Sequence, residues 1–241
     1  MPVGAVHVWA AQIAGSMAVC DVPMDGLSPD ERARAQAARS PAYRTEYVLT
    51  RLVLRELLGA YLQLSPSEIR VRYNEHGKPM LAPPLDQALQ FNVSHCAGIA
   101  LLAFTCGREL GVDVDRLDRV SDWQAVAQRN FSPEECATLA AMPESVRREA
   151  CTRTWIRKEA YAKARGAGFS YGFTRFTVSA TDCGEASGLR ADTQDVTAPQ
   201  GWWLRDLDMG SSMAASLAAE QGASALRCWR LSVARATLAA P

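Results

Sequence analysis

The sequence predicts an α+β protein built as two pseudo-repeated lobes in tandem, with its active site in the cleft between them. Two observations predict this. Short runs of alternating apolar residues are interleaved with longer runs of helical period, so strands and helices mix within each half. Four elements then recur at a single offset of 104 residues. VHVWAAQI at 6–13 recurs as LGVDVDRL at 110–117, and LSPDE at 27–31 as FSPEE at 131–135. TRLVLRELL at 50–58 recurs as TWIRKEAYA at 154–162, and IRVRY at 69–73 as FTRFT at 173–177. Four elements in one register without a gap mark an internal duplication. The join falls near Cys106-Gly107-Arg108, giving an N-terminal lobe over 1–107 and a C-terminal lobe over 108–241. Tandem halves leave their interface at the centre of the molecule, where ligand clefts commonly form.

Taken in order, residues 6–13 form a first strand. A helix starts at Ser28-Pro29-Asp30-Glu31, with Ser28 as N-cap, Pro29 at the first helical position and Glu31 placed to close a capping box. It is expected to run to Pro41. Val48, Leu52, Leu54, Leu58 and Leu62 recur at helical spacing, predicting a long buried helix over 44–64 that Ser65-Pro66-Ser67 breaks. Residues 69–73 alternate as a strand, Asn74-Glu75-His76-Gly77 forms a turn, and 91–95 and 99–104 are two strands joined by a tight corner. In the second half a charged amphipathic helix over 151–165 stops at Gly166-Ala167-Gly168. A loose hairpin is expected over 184–200. Strands follow at 202–208 and 213–219, a last strand at 226–233 closes the sheet, and 234–241 is a frayed tail.

Composition excludes several functional classes. Lys+Arg and Asp+Glu balance at 26 each, so no global field favours nucleic acid or an anionic membrane. No apolar run approaches the ~18–20 residues of a membrane span, and the N-terminus lacks the basic start of a signal peptide. The seven cysteines are odd in number, scattered and never spaced C-x-x-C, which argues against a disulfide framework or a zinc site and fits a reducing cytoplasm.

The chemistry concentrates where the second half departs from the first. Trp9 and Ala11 correspond to Asp113 and Asp115, and Arg55 to Glu159. Side chains alternate along a strand, so Asp113 and Asp115 share one face while Val112 and Val114 take the other. Two carboxylates pointing the same way repel unless neutralised, and oxygen-only ligands suit Mg²⁺, with Glu159 as the third. On its helix Glu159 shares a side with Trp155, Ala162 and Lys163, and Lys158 lies about 100° around the axis.

These residues resemble a known family. G-V-D-V-D at 111–115, followed about 40 residues later by W-x-x-K-E-A-Y-x-K at 155–163, is similar to the signature of 4'-phosphopantetheinyl transferases, of the long two-lobed kind that serves surfactin-type peptide synthetases. F-S-P-E-E at 131–135 matches that family's F-S-x-x-E. Gly77-Lys78-Pro79 matches its G-K-P, and F-N-V-S-H at 91–95 its F-N-x-S-H. The resemblance runs from residue 27 to about 170.

It implies transfer of 4'-phosphopantetheine from coenzyme A to a serine of an acyl or peptidyl carrier protein, releasing adenosine 3',5'-bisphosphate. Asp113, Asp115 and Glu159 would hold Mg²⁺ against the pyrophosphate. Lys163 would stabilise or protonate the leaving phosphate, Lys158 would add a second cationic contact, and Glu135 would be a further carboxylate near the site or only the end of a capping box. The serine's proton would go to Glu159 or to a metal-bound water. Lys78 and Pro79 would lie along the adenine, with Ser94 and a protonated His95 at the phosphates. The carrier's acidic helices would dock near 142–153, and the chain would act as a cytoplasmic monomer.

Three departures stand out. Asp115 replaces the family's usual Glu, Cys96 replaces the last serine of S-H-S, and arginines stand where lysines often bind the 3'-phosphate. Among Arg32, Arg34, Arg44 and Arg51, the expectation falls on Arg51 and then Arg44. The competing readings are a non-catalytic carrier-protein or nucleotide-binding module with the same fold, and another phosphate-transferring enzyme. No P-loop G-x-x-x-x-G-K-[ST] and no H-R-D triplet supports the latter.

Overall fold

The computed structural model describes residues 1–2, 4–13, 24–87, 89–181, 188–222 and 225–233. The N-terminal lobe runs β1 (Ala5–Gln12), α1 (Pro29–Ala37), α2 (Pro41–Leu62), β2 (Val71–Tyr73), β3 (Pro79–Leu81), β4 (Gln90–Cys96) and β5 (Ile99–Thr105). The C-terminal lobe runs β6 (Leu110–Arg116), α3 (Trp123–Asn130), α4 (Pro133–Ala141), α5 (Glu144–Ala164), β7 (Phe176–Val178), β8 (Leu189–Asp192), α6 (Ala198–Gly201), β9 (Trp202–Leu207), β10 (Met213–Glu220) and β11 (Ala225–Ser232).

The duplication is visible in the pairing. One sheet runs β11-β1-β5-β4 and the other β6-β10-β9, with β2–β3 and β7–β8 as matching hairpins. Thus β1, β5 and β4 of one lobe answer to β6, β10 and β9 of the other, each set paired antiparallel. The capping boxes recur too: Ser28 with Glu31 opens α1, and Ser132 with Glu135 opens α4. Each box is worth about 1 kcal/mol by satisfying orphan N–H groups.

Several elements differ from the sequence expectation. The first helix ends at Ala37, because Ser40 is extended (φ −97°, ψ 123°) ahead of Pro41 and its hydroxyl caps a new helix at the Tyr43 N–H. The strands at 69–73 and 173–177 shorten to β2 and β7, each preceded by a single 3₁₀ turn, Pro66–Glu68 and Phe173–Arg175. The last strand returns to the N-terminal lobe, where β11 pairs parallel with β1. Residues 184–187 of the predicted hairpin and the predicted tail at 234–241 lie outside the described residues.

Period-two alternation sorts the strands into layers. Val6, Val8, Leu101 and Ala103 of one sheet pack against Leu110, Val112, Val114, Ala215 and Leu217 of the other. The opposite face of the first sheet (Phe91, Ala100, Leu102, Phe104) carries α2 through Leu49, Val53, Leu54 and Leu58. On the outer face of the second sheet lies α5, where Ala160 and Ala164 approach Gly111 so closely that a Cβ there would stand 2.2 Å from the Ala160 carbonyl. The glycine of the G-V-D-V-D motif therefore sets how deeply α5 sits on the strand that carries Asp113.

The edges of the two sheets meet along β4 and β6. The Asn92 side-chain oxygen accepts from the Val112 N–H (2.9 Å) and the Ser94 hydroxyl from the Val114 N–H (3.4 Å). Asn74 donates to the Gly166 carbonyl (2.6 Å). The Lys78 ammonium reaches Glu109 (2.6 Å) and the carbonyls of Leu110 and Ala164. These contacts fix the G-K-P turn of one lobe to the C-terminal end of α5 in the other.

Candidate active site

A cleft of about 320 Å³ opens between the lobes. Its N-terminal wall is a stripe of α2 (Tyr43, Tyr47, Thr50, Arg51) together with Arg34, the turn at 76–79 and β4. Its C-terminal wall is Glu159 and Lys163 of α5.

The Nζ of the cleft-lining Lys163 lies 2.6 Å from the buried Asp113 Oδ1 and 3.2 Å from Ser94 Oγ, and Ser94 donates to the same carboxylate oxygen at 2.8 Å. Residues from β4, β6 and α5 thus converge on one point. Burial raises the Glu159 carboxyl above the ordinary glutamate value, and the Asp113 charge adds to the rise, opposed by Lys163 and Arg119. Asp115 shares the face of Asp113 but is already engaged. Arg119 forms an ion pair with it, the Arg116 N–H donates to it (2.7 Å), and so does the Cys96 thiol (3.0 Å). Burial and Asp115 together push that thiol to about 12, so Cys96 stays protonated and acts as the weak donor that replaces the family hydroxyl. The Arg119 guanidinium also lies 5.1 Å over the Trp155 ring.

Three carboxylates face two cations here. That surplus of negative charge and the all-oxygen donors fit a hard divalent cation, with Asp113 and Glu159 the nearest candidates as ligands. Among the described residues no three acidic, histidine or cysteine side chains are drawn together as a ready ligand cluster. Asp113 pairs with Lys163 and Asp115 with Arg119.

Also lining the cleft, Arg51 carries a buried Nη1 with no protein partner, and the buried Thr50 hydroxyl lacks one too. Two unsatisfied donors at a pocket wall suit an anionic oxygen. Arg34 lines the same wall, its guanidinium 3.8 Å over Tyr73. His95 sits beside Glu46 (Nδ1 to Oε2, 3.4 Å), which also accepts from the Gly98 N–H (2.7 Å). Burial lowers the His95 pKa below 6.5, and Glu46 only partly opposes this. The expected protonation of His95 belongs to the complex, where a phosphate dianion beside the ring would raise its pKa; in the free chain burial works in the other direction.

Three sequence expectations, on Lys158, Arg44 and Arg55, need correction, and of the two readings of Glu135 the capping box is the one formed. Lys158 does not reach the cleft. It is fully buried, donating to the carbonyls of Phe173 (2.8 Å) and Phe176 (2.5 Å) and pairing with Glu135 at 2.8 Å. Glu135 is equally buried, accepting from the N–H groups of Ser132 and Val178 (both 2.7 Å). Burial lowers the lysine pKa and raises that of the glutamate, each opposed by the other's charge. Arg44 does not line the cleft: it lies on the face of α2 that carries Arg51, two turns nearer the N-terminus, and its guanidinium goes to the Met24 sulfur (3.9 Å). Finally, Arg55 is the counterpart of Lys158 rather than of Glu159. Arg55 pairs with Glu31 at 2.8 Å and donates to the carbonyls of Pro66 (3.0 Å) and Ile69 (3.1 Å), repeating the contacts of Lys158. The helices therefore superpose one residue out of the gapless register, and the exposed Glu56 stands where Glu159 stands.

Sequence reasoning missed Arg34, Glu46 and Arg119. It named Arg34 without choosing it; Arg119 stands four residues after Asp115, a spacing that was readable and not used, and Glu46 gives no signal because its partners His95 and Gly98 lie about 50 residues away. Asn92 was visible inside F-N-V-S-H, but its bond to the β6 backbone was not.

Comparison with known proteins gives a consistent picture. Residues 109–218 match the 4'-phosphopantetheinyl transferase superfamily, and residues 17–106 match the N-terminal part of 4'-phosphopantetheinyl transferases. The chain is 34% identical over 166 residues to the 4'-phosphopantetheinyl transferase HetI of Nostoc sp., covering 68% of this chain and 70% of that protein. It is 29% identical over 166 residues to the 4'-phosphopantetheinyl transferase Sfp of Bacillus subtilis (68% and 71% covered). It is 35% identical over 112 residues to AcpT of Escherichia coli (46% and 55% covered).

Proposed function

This chain belongs to the 4'-phosphopantetheinyl transferase family, and from that premise we propose how its residues move 4'-phosphopantetheine from coenzyme A to a serine of an apo carrier protein. The observation that carries the reading is the convergence of Asp113 and Ser94 on Lys163, which lines the cleft together with Arg51, whose buried Nη1 has no protein partner.

In this reading the nucleotide end of coenzyme A lies along the N-terminal lobe (1–107). Arg51, with Arg34 and His95, takes the 3'-phosphate, and the backbone of Lys78 and Pro79 lies along the adenine while the Lys78 ammonium stays with Glu109. The pyrophosphate then falls between the lobes, at the residues supplied by the C-terminal lobe (108–241). The carrier serine oxygen attacks the phosphorus nearer the pantetheine. Its bond to the bridging oxygen breaks, and adenosine 3',5'-bisphosphate leaves. Glu159, which lines the cleft, is the carboxylate placed to take the serine proton. Lys163 stabilises the charge gathering on the leaving phosphate. Asp113 and Glu159 would hold Mg²⁺, with Asp115 joining if Arg119 releases it; the cation would neutralise the pyrophosphate and orient it.

The balanced formal charge and the scattered cysteines support a cytoplasmic enzyme without nucleic-acid or membrane partners. No helix among the described residues is long and apolar enough to cross a membrane. An internal duplication that builds the cleft within one chain supports a monomer.

The test is direct. Incubation with an apo carrier protein, coenzyme A and Mg²⁺ is expected to add the phosphopantetheine mass to the carrier, and failure across peptidyl and acyl carriers would sink the reading.

A further inference from the structure

The Glu135–Lys158 pair lies outside the cleft, yet it sits one residue from Glu159. All three protons of the Lys158 ammonium are committed: to Glu135 Oε1, to Phe173 O and to Phe176 O. The same Glu135 oxygen accepts from Val178, and its other oxygen closes the α4 capping box. One ion pair therefore ties together the start of α4, the middle of α5 and the strand β7. Breaking it would leave a buried charge alone, a strongly unfavourable state. The N-terminal lobe contains the same device, Glu31 at the third position of α1 with Arg55 on α2 and the chain leaving that helix. There the following residue is Glu56, exposed to solvent. The pair is thus the shared structural inheritance of both lobes, and only one copy has a cleft-facing carboxylate beside it.

We propose that Glu135–Lys158 is a positioning pair for Glu159: it sets the rotation and depth of α5 so that Glu159 faces the cleft, without either side chain touching substrate. The inference rests on the functional reading above for the role of Glu159. It goes beyond that reading by removing the lysine and glutamate of two recognised motifs from the reacting groups and giving them a mechanical task.

The experiment compares Lys158→Arg, the neutral pair Lys158→Met/Glu135→Gln, and the lobe-one twin Arg55→Met/Glu31→Gln. The neutral pair removes both charges together, which avoids an orphaned buried ion, and a calorimetric melt checks that it is folded. It is expected to bind coenzyme A within twofold of the parent by calorimetry while kcat falls at least tenfold. Lys158→Arg, which copies the other lobe, should recover kcat to within about threefold. The twin should lower the melting temperature comparably but leave kcat at saturating coenzyme A within twofold. Parental kcat in the folded neutral pair would overturn the proposal. So would a coenzyme A affinity that falls in step with kcat, because Lys158 would then touch substrate. The alanine methyl NMR signals of Ala160 and Ala164 report the seating of α5 independently of turnover. They should move in the neutral pair and stay in the twin, and unmoved signals in the neutral pair would also overturn the proposal. A parent that modifies no carrier refutes the functional reading, while these methyl signals still decide the positioning claim.

Discussion

Lys163 Nζ lies 2.6 Å from Asp113 Oδ1, joining the last turn of α5 to the middle of β6. That contact is possible only because Gly111 lets the helix lie directly on the strand. Replacing Asp113 by Asn keeps the shape and the Ser94 bond but removes the charge that Lys163 and any cation would face. Turnover in the carrier-modification assay is expected to fall at least ~100-fold, the scale of losing a preorganised charge at a phosphoryl site, with a melting temperature close to the parent's. Parental turnover would show that the reacting centre lies elsewhere.

Gly111→Ala probes the same contact from the strand side. The new Cβ would stand 2.2 Å from the Ala160 carbonyl and 2.3 Å from the Ala164 nitrogen, both backbone atoms that no rotamer change can move aside. The helix must lift. Overpacking of this kind costs on the order of 1–3 kcal/mol, and calorimetric melting should register it together with lost activity. An unchanged melting temperature would mean that α5 is seated less tightly than the structure shows.

Arg51 and Arg44 separate the two arginines that sequence ranked first. Arg51 offers an unpaired buried Nη1 to the cleft, whereas Arg44 turns to Met24. Arg51→Ala should raise the KM for coenzyme A by about 10- to 100-fold, matching the 1.5–3 kcal/mol of a charge-assisted hydrogen bond. It should have little effect with dephospho-coenzyme A, which lacks the 3'-phosphate. Arg44→Ala should leave both constants near the parent's. Equal effects of the two arginines would refute the assignment.

His7 makes stability depend on pH. Burial lowers its pKa below 6.5, with Arg227 and the N-terminus adding to the shift. Its ring meets Tyr61 OH at 2.7 Å and the Trp229 edge at 4.7 Å, and Nε2 is buried without a partner. The unfolded chain takes up the proton first, so the contribution is fully present above pH ~6.5 and is lost as pH falls toward the lowered folded value. Urea unfolding at pH 7.5 and 5.5 should show the loss. His7→Phe should flatten it in part, with His95 contributing in the same sense and the raised Glu135 and Glu159 carboxyls in the opposite one. A pH slope identical in the variant would remove His7 from the account.

Much of this was legible in sequence because it depends on local period and spacing. The capping boxes at Ser28 and Ser132, the alternation that puts Asp113 and Asp115 on one face, and the duplication itself are statements about neighbours along the chain. The site was legible to the extent that its residues fall in one strand or one helix. Glu159 and Lys163 share a face of α5 by helical geometry, and both line the cleft.

Sequence by itself determined the two lobes, the acidic strand and the helix that answers it, because side-chain direction follows from φ and ψ within an element. Only the tertiary structure decided which charges are available. Burial separates two adjacent residues of one motif, Lys158 sealed against Glu135 and Glu159 turned to the cleft, and a contact with Met24 divides the half-buried Arg44 from the half-buried Arg51 on one helix. Such choices depend on what a distant segment brings within reach, here the carbonyls of Phe173 and Phe176 and the edge of β4. One residue of helical rotation separates a buried ion pair from a cleft-facing carboxylate, and packing between elements sets that rotation.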